Sequence, residues 1–98
     1  MKFRKKPVVI EAFQMTEERR KSNADWPEWL HKAWQMDIEE EGAVGINPND
    51  SNCYFLVINT LEGLMSINWG DWIIKGVKGE LYPCKPDVFD MTYEYVGD

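Results

Sequence analysis

The chain has one histidine and two cysteines, and that scarcity removes several functions at once. Cys53 and Cys84 form no C-x-x-C pair, and no histidine accompanies them, so they read as two ordinary thiols rather than a zinc site. A disulfide would need an oxidising compartment, and nothing in the sequence sends the chain there. His31 has no serine or cysteine linked to it and sits beside Lys32 in a helical pattern. It reads as a solvent-facing residue turned away from Trp26 and Leu30. Long apolar runs are also missing. Lys2, Arg4, Lys5 and Lys6 are followed only by Pro7-Val8-Val9-Ile10 before Glu11 intervenes, so no signal-peptide core forms, and no run approaches the ~20 residues of a membrane span. Gly76-Val77-Lys78-Gly79 is not G-x-x-x-x-G-K-S/T and opens no helix, so a phosphate cradle is absent. The loop from Asn47 to Asn52 resembles a calcium loop in composition alone. It lacks the central glycine, and Ile58 stands where the bidentate glutamate would be. No catalytic residue, metal or cofactor is assigned from these patterns.

Positive charge is in short supply. Eleven Lys and Arg face 17 Asp and Glu, for a net charge of −6, which argues against direct nucleic-acid binding because that requires a basic surface. An acidic protein that meets a basic partner remains allowed. The charge is uneven: the N-terminus is basic, Asp37 and Glu39 to Glu41 form an acidic stretch, and Asp87, Asp90, Glu94 and Asp98 make the C-terminus acidic. What the chain does have is core material. Residues 1–98 suit a single domain, and with 44% hydrophobic and 13% aromatic residues they can build a real core.

Residues 3 to 14 read as a first strand, with β-branched Val8, Val9 and Ile10, beginning at Pro7 or lying at a sheet edge. Thr16 to Asn23 reads as a solvated loop or helical turn of mixed charge. Asp25 fits an N-cap, Pro27 a first turn and Glu28 a capping box. Trp26, Leu30, Ala33 and Trp34 then recur as one apolar helical stripe, ended by Gly42 and Gly45. Tyr54 to Ile58 is a buried strand, Glu62-Gly63 a hairpin turn, and Met65, Ile67 and Trp69 the dry side of the next strand. Gly70-Asp71 is a turn, with the aspartate bonding backbone N–H groups beyond it. Trp72 to Val77 and Glu80 to Cys84 are strands around Lys78-Gly79, and Pro86 opens a short helix with Val88, Phe89 and Tyr93 facing inward. The order predicts an α+β domain with a curled antiparallel sheet of about five strands, open or partly closed as a barrel. Trp26, Leu30 and Trp34 are expected to pack on Phe55, Val57, Ile67 and Ile74.

One group of residues has the character of a ligand site. Lys75, Lys78 and Lys85 fall among Trp72, Tyr82 and Phe89, and aromatics with lysines can hold a nucleotide by stacking and charge. Trp72, Lys75, Lys78, Tyr82 and Lys85 are therefore the candidate ligand- or partner-binding residues. The favoured alternative is plainer: lysines guard an exposed hairpin edge, and Trp72 and Phe89 serve the core of a small domain.

Both ends of the chain carry a family resemblance. The opening Lys2-Phe3-Arg4-Lys5-Lys6-Pro7-Val8-Val9-Ile10-Glu11-Ala12-Phe13-Gln14, the segment Thr60-Leu61-Glu62-Gly63, and the closing blocks Gly70 to Glu80 and Tyr82 to Phe89 resemble a small protein family of tailed bacteriophages and prophages. The closing block is similar to the proline-glycine-aspartate-aromatic signature for which such proteins are labelled PGDYG, with Trp69 in place of its proline and Trp72 in place of its tyrosine. The middle, roughly 17–52, resembles it little beyond Trp26 to Leu30. The resemblance implies a cytoplasmic protein of an infected bacterial cell. It implies no activity and carries over no functional residue. Three functions follow as expectations: a binding protein for a host protein, such as an inhibitor of a defence or nucleic-acid enzyme; a nucleotide-binding sponge; and, more weakly, an enzyme using carboxylates or Tyr82. A nucleotide pocket of ~300 Å³ or more would call on a second subunit, because one core this small leaves little room, so the second expectation includes a homodimer.

Overall fold

Hairpins and short antiparallel strands arrange this chain into two small sheets. The computed structural model describes every residue except Lys5, Cys53, Tyr54 and Asp98. The expectations placed on those four, including the Cys53 thiol and Tyr54 as the first residue of a strand, lie outside the described residues. The elements in order are β1 (Glu11–Gln14), α1 (Glu17–Ser22), α2 (Glu28–Gln35), β2 (Val44–Ile46), β3 (Leu56–Thr60), β4 (Gly63–Ile67), β5 (Trp72–Lys75), β6 (Leu81–Cys84) and α3 (Pro86–Thr92). One sheet has the order β1-β5-β6 and the other β2-β3-β4, with every pairing antiparallel. The fold is α+β and antiparallel, as the strand and turn pattern predicts, but the strands divide into two three-stranded sheets rather than one curled sheet of about five, and among the described residues no closed barrel forms. The strand added to that expectation is β2. Its Gly45 reads as a turn residue in sequence, yet it pairs with Val57 and lies against Ile38.

The two sheets and α2 share one core. Phe13, Met15, Ile73 and Leu81 come from the β1-β5-β6 side, Val44, Leu56, Ile58 and Ile67 from the other sheet, and Trp26, Leu30 and Ala33 from α2 and its approach. Of the expected partners of the helix, Ile67 is in this core and the other three are displaced by one residue. Leu56, Ile58 and Ile73 join the cluster with Trp26, Leu30 and Ala33, whereas Phe55 is 50% exposed, and Val57 and Ile74 are buried outside that cluster. Successive strand residues point to opposite faces, so one step of phase exchanges the whole set. Trp34 also differs from expectation: it is half-buried at the edge of the core rather than within it.

The helices differ from the sequence reading in instructive ways. α2 starts at Glu28 behind Pro27, and no side chain caps it, so the predicted Asp25 capping box does not form. Trp26 instead turns into the core and donates its indole N–H to the Arg19 carbonyl at 2.9 Å. α1, read as a solvated loop or helical turn, is a short helix capped by the Thr16 hydroxyl, which accepts from the Arg19 N–H at 3.2 Å. Its arginines act on the aromatics: the Arg19 guanidinium lies 4.8 Å above the Phe13 ring and Arg20 lies 4.5 Å above Trp34. His31 is half-buried with its ring 5.5 Å from that of Trp26, so it does not face away from that residue. At the N-terminus β1 starts only at Glu11, and the described residues before it belong to no strand. Glu11 pairs with Lys75, the last residue of β5, so the residues before it run past the end of that strand, where the chain turns toward β6.

Gly70-Asp71 joins the two sheets. Gly70 takes φ +98°, its N–H donates to the Met15 carbonyl at 2.7 Å, and the Met15 N–H returns a bond to the Asp71 carbonyl at 2.9 Å. The buried Asp71 carboxylate accepts from the Asn68 N–H at 2.9 Å, so it closes the turn backwards rather than beyond itself.

Candidate binding groove

The predicted site residues separate. The register sets Trp72 opposite Cys84 and Ile74 opposite Tyr82, which places Trp72 and Tyr82 on one sheet face and Lys75, two residues from Ile73, on the other. Trp72 stacks on Phe89 of α3, with ring centroids 4.1 Å apart and planes 6° from parallel, and Phe89 continues to Tyr93 at 5.1 Å. That stack is occupied by the protein's own rings. It fixes α3 on the sheet while Phe89 and Tyr93 stay half-buried, and Val88, expected to face inward, is 44% exposed. Lys75 lies 3.6 Å from Glu11 across the β1–β5 pair. Lys85 is exposed at the start of α3.

Lys78 and Tyr82 come together in a different place, a surface groove of about 740 Å³. One wall is the β3–β4 hairpin, with Asn59, Leu61, Glu62 and Met65. The other is the β5–β6 turn and β6 itself, with Lys78, Glu80, Leu81, Tyr82 and Pro83. A smaller hollow of about 270 Å³, lined by Trp29, Lys32, Met36 and Lys75, continues it past Glu41, Gly42, Gly79 and Leu81, which line both. A single chain thus supplies more room than its small core suggested, because the space lies between two hairpins rather than inside the core.

Both walls are rigidly built. In the β3–β4 turn the Thr60 hydroxyl donates to the Gly63 carbonyl at 2.9 Å and accepts from the Glu62 N–H at 3.1 Å. In the β5–β6 turn the Glu80 carboxylate folds back to accept from the Lys78 N–H at 2.9 Å. Gly76 makes this fold possible, because a Cβ there would fall on the Glu80 carboxylate. β4 and β6 are the end strands of their sheets, so the strands that line the groove carry backbone donors and acceptors that no neighbouring strand takes up. Pro83 suits such an edge, since it has no N–H to donate.

The electrostatics favour a cation. Glu41, Glu62 and Glu80 line the groove against Lys78 alone. Tyr82 is a neutral member. Burial first, then a hydrogen bond and repulsion from the Tyr93 phenol, push its phenol up to about 12. It is therefore protonated at neutral pH and unsuited to act as a base. Cys84 is a free, half-buried thiol, which burial and then Asp71 and Asp87 push up, leaving little reactive thiolate. Among the described residues no three His, Cys, Asp or Glu side chains group as a metal site. In the Asn47–Asn52 loop the Asp50 carboxylate is engaged by the N–H groups of Asn52 and Phe55. No described helix is long and apolar enough to cross a membrane.

Leu61, Met65, Glu41, Glu62 and Glu80 were not singled out as site residues in the sequence, and Met65, expected on the dry side of its strand, is exposed. The signal was present in part: Leu61 is an apolar residue at a hairpin tip, where turns are ordinarily polar, and it is 86% exposed. Comparison of the chain with protein-family models, with curated proteins and with solved structures finds no match.

Proposed function

We propose that this chain is a binding protein whose groove between the β3–β4 hairpin and β6 seats an extended, cationic and apolar segment of another protein. The observation that carries this reading is the composition of the groove: edge strands that offer backbone hydrogen bonds, apolar Leu61 and Met65, and three carboxylates to one lysine. Recognition would use strand addition, in which main-chain bonds supply affinity and side-chain pockets supply selectivity. The same carboxylates oppose a nucleotide phosphate, so the sponge reading is the weaker one, although the groove volume is in the range of small-ligand sites. The resemblance of the chain's two ends to phage proteins supports a bacterial host protein as the partner and the host cytoplasm as the setting. An inhibitor of a defence or nucleic-acid enzyme fits, because the basic surface such an enzyme uses for nucleic acid suits an acidic groove.

Affinity capture from bacterial lysate tests this, with the wild-type chain and a Leu61→Asp/Met65→Asp variant compared at low and moderate salt. Both side chains are exposed, so the variant is expected to fold. A host protein retained by the wild type and lost by the variant supports the reading. Equal capture by both, or capture of nothing above background, contradicts it. A nucleotide that co-purifies and survives the substitution would point to the sponge instead.

A further inference from the structure

The first ten residues have the character of a ligand for this same groove. Phe3 is 90% exposed and Val9 78%, and the described residues of the segment pair with no strand. In an extended chain alternate residues share a face. Phe3, Lys5, Pro7 and Val9 then share one face and Lys2, Arg4, Lys6, Val8 and Ile10 the other, so both faces combine apolar and basic side chains. The groove presents the complement, apolar Leu61 and Met65 with Glu41, Glu62 and Glu80 beside them.

Topology directs the segment outward from the groove end of the molecule. β1 runs antiparallel to β5 with Glu11 opposite Lys75, so the chain before Glu11 leaves the sheet beside the Gly76–Gly79 turn, which is part of the groove wall. Residues 1–10 contain no glycine, Pro7 fixes its own φ, and Val8, Val9 and Ile10 prefer extended backbone. Such an arm projects rather than doubling back into its own groove, and ten extended residues reach about 33 Å, far enough to cross onto a second molecule.

We propose that the N-terminal arm of one copy lies in the groove of a second copy, giving a reciprocal, arm-exchanged dimer. This rests on the reading of the groove as a seat for an extended segment and names its first occupant: the chain itself. A host segment would then bind by displacing the arm, so self-association and host binding exclude one another.

Sedimentation velocity of the full-length protein tests the exchange. The wild type is expected to be a dimer. Phe3→Asp/Val9→Asp, which spoils the arm, and Leu61→Asp/Met65→Asp, which spoils the groove, are each expected to weaken dimerisation about 30-fold or more, the effect of losing a central anchor. Mixing the two variants restores one intact arm and one intact groove per pair, so the mixture should associate where neither variant does alone. Charge exchange supplies an independent check: Lys2→Glu/Arg4→Glu should dissociate the dimer, and adding Glu41→Lys/Glu62→Lys to the partner molecule should restore it. A wild type that stays monomeric at every concentration, or a dimer that survives the arm substitutions, overturns the proposal, as does a mixture of variants that fails to associate. If host capture is still lost in the groove variant while the arm proves irrelevant to mass, the self-exchange falls and the groove reading stands.

Discussion

Trp26 and Trp34 pack edge to face, 5.6 Å apart, yet they carry different loads. Trp26 is buried and hydrogen-bonded, whereas Trp34 is half-buried under Arg20. Trp26→Ala should therefore cost about 3–5 kcal/mol, the range for emptying a core aromatic site. Trp34→Ala should cost about 1–2 kcal/mol, from partial burial and one cation–π contact. Urea denaturation of the two variants checks the order, and a larger loss at Trp34 would place the core on the wrong side of α2. The helical period places both residues in one stripe, but Trp26 precedes α2 and reaches the core from outside the helix, and period alone does not say how far a residue is covered. Tyr82 supplies a second test at this scale. An unfolded tyrosine ionises near pH 10, while Tyr82 in the fold ionises near about 12. Between those values the unfolded chain has released a proton that the folded chain keeps. The stabilisation is thus fully present below the unfolded value and is lost as pH rises through the folded one. Urea midpoints compared between about pH 9 and 11.5 should fall more steeply for the wild type than for Tyr82→Phe. Equal slopes would mean that the Tyr93 contact and burial do not hold the phenol.

At the scale of elements, the turn at Gly70-Asp71 is the joint between the sheets. Its bonds to Met15 and Gln14 tie the end of β1 to the β4–β5 connection. Gly70→Ala forces a side chain into φ +98° and should cost about 1 kcal/mol or more, measured by urea or thermal unfolding. A neutral result would show that the turn relaxes to negative φ. This turn, both hairpins and α3 were legible because glycine, proline and a change of strand phase mark them locally. β2 was not, because Val44-Gly45-Ile46 is too short to show a period and its glycine imitates a turn. The N-terminal strand was read too long for a related reason. Val8, Val9 and Ile10 have the propensity for a strand, but propensity does not create a partner, and β5 ends at Lys75, opposite Glu11.

At the scale of the whole molecule, the groove was the least legible feature. It is made where two hairpin walls, far apart in sequence, come side by side, and its acidic character arises from Glu41, Glu62 and Glu80 meeting in space. Of the lysines and aromatics that stood out in sequence only Lys78 and Tyr82 line it, and the others divide between an occupied ring stack, an ion pair and an exposed helix start. The central claim is that the groove, rather than the α3 face, is where another protein docks. The most direct measurement is site-specific photo-crosslinking in bacterial lysate, with a photoreactive residue at Leu61 in one sample and at Val88 in another, both being exposed apolar positions. The groove account predicts a discrete crosslinked protein from Leu61 and none from Val88. Crosslinking from Val88 with none from Leu61 would contradict it and move the binding surface to α3.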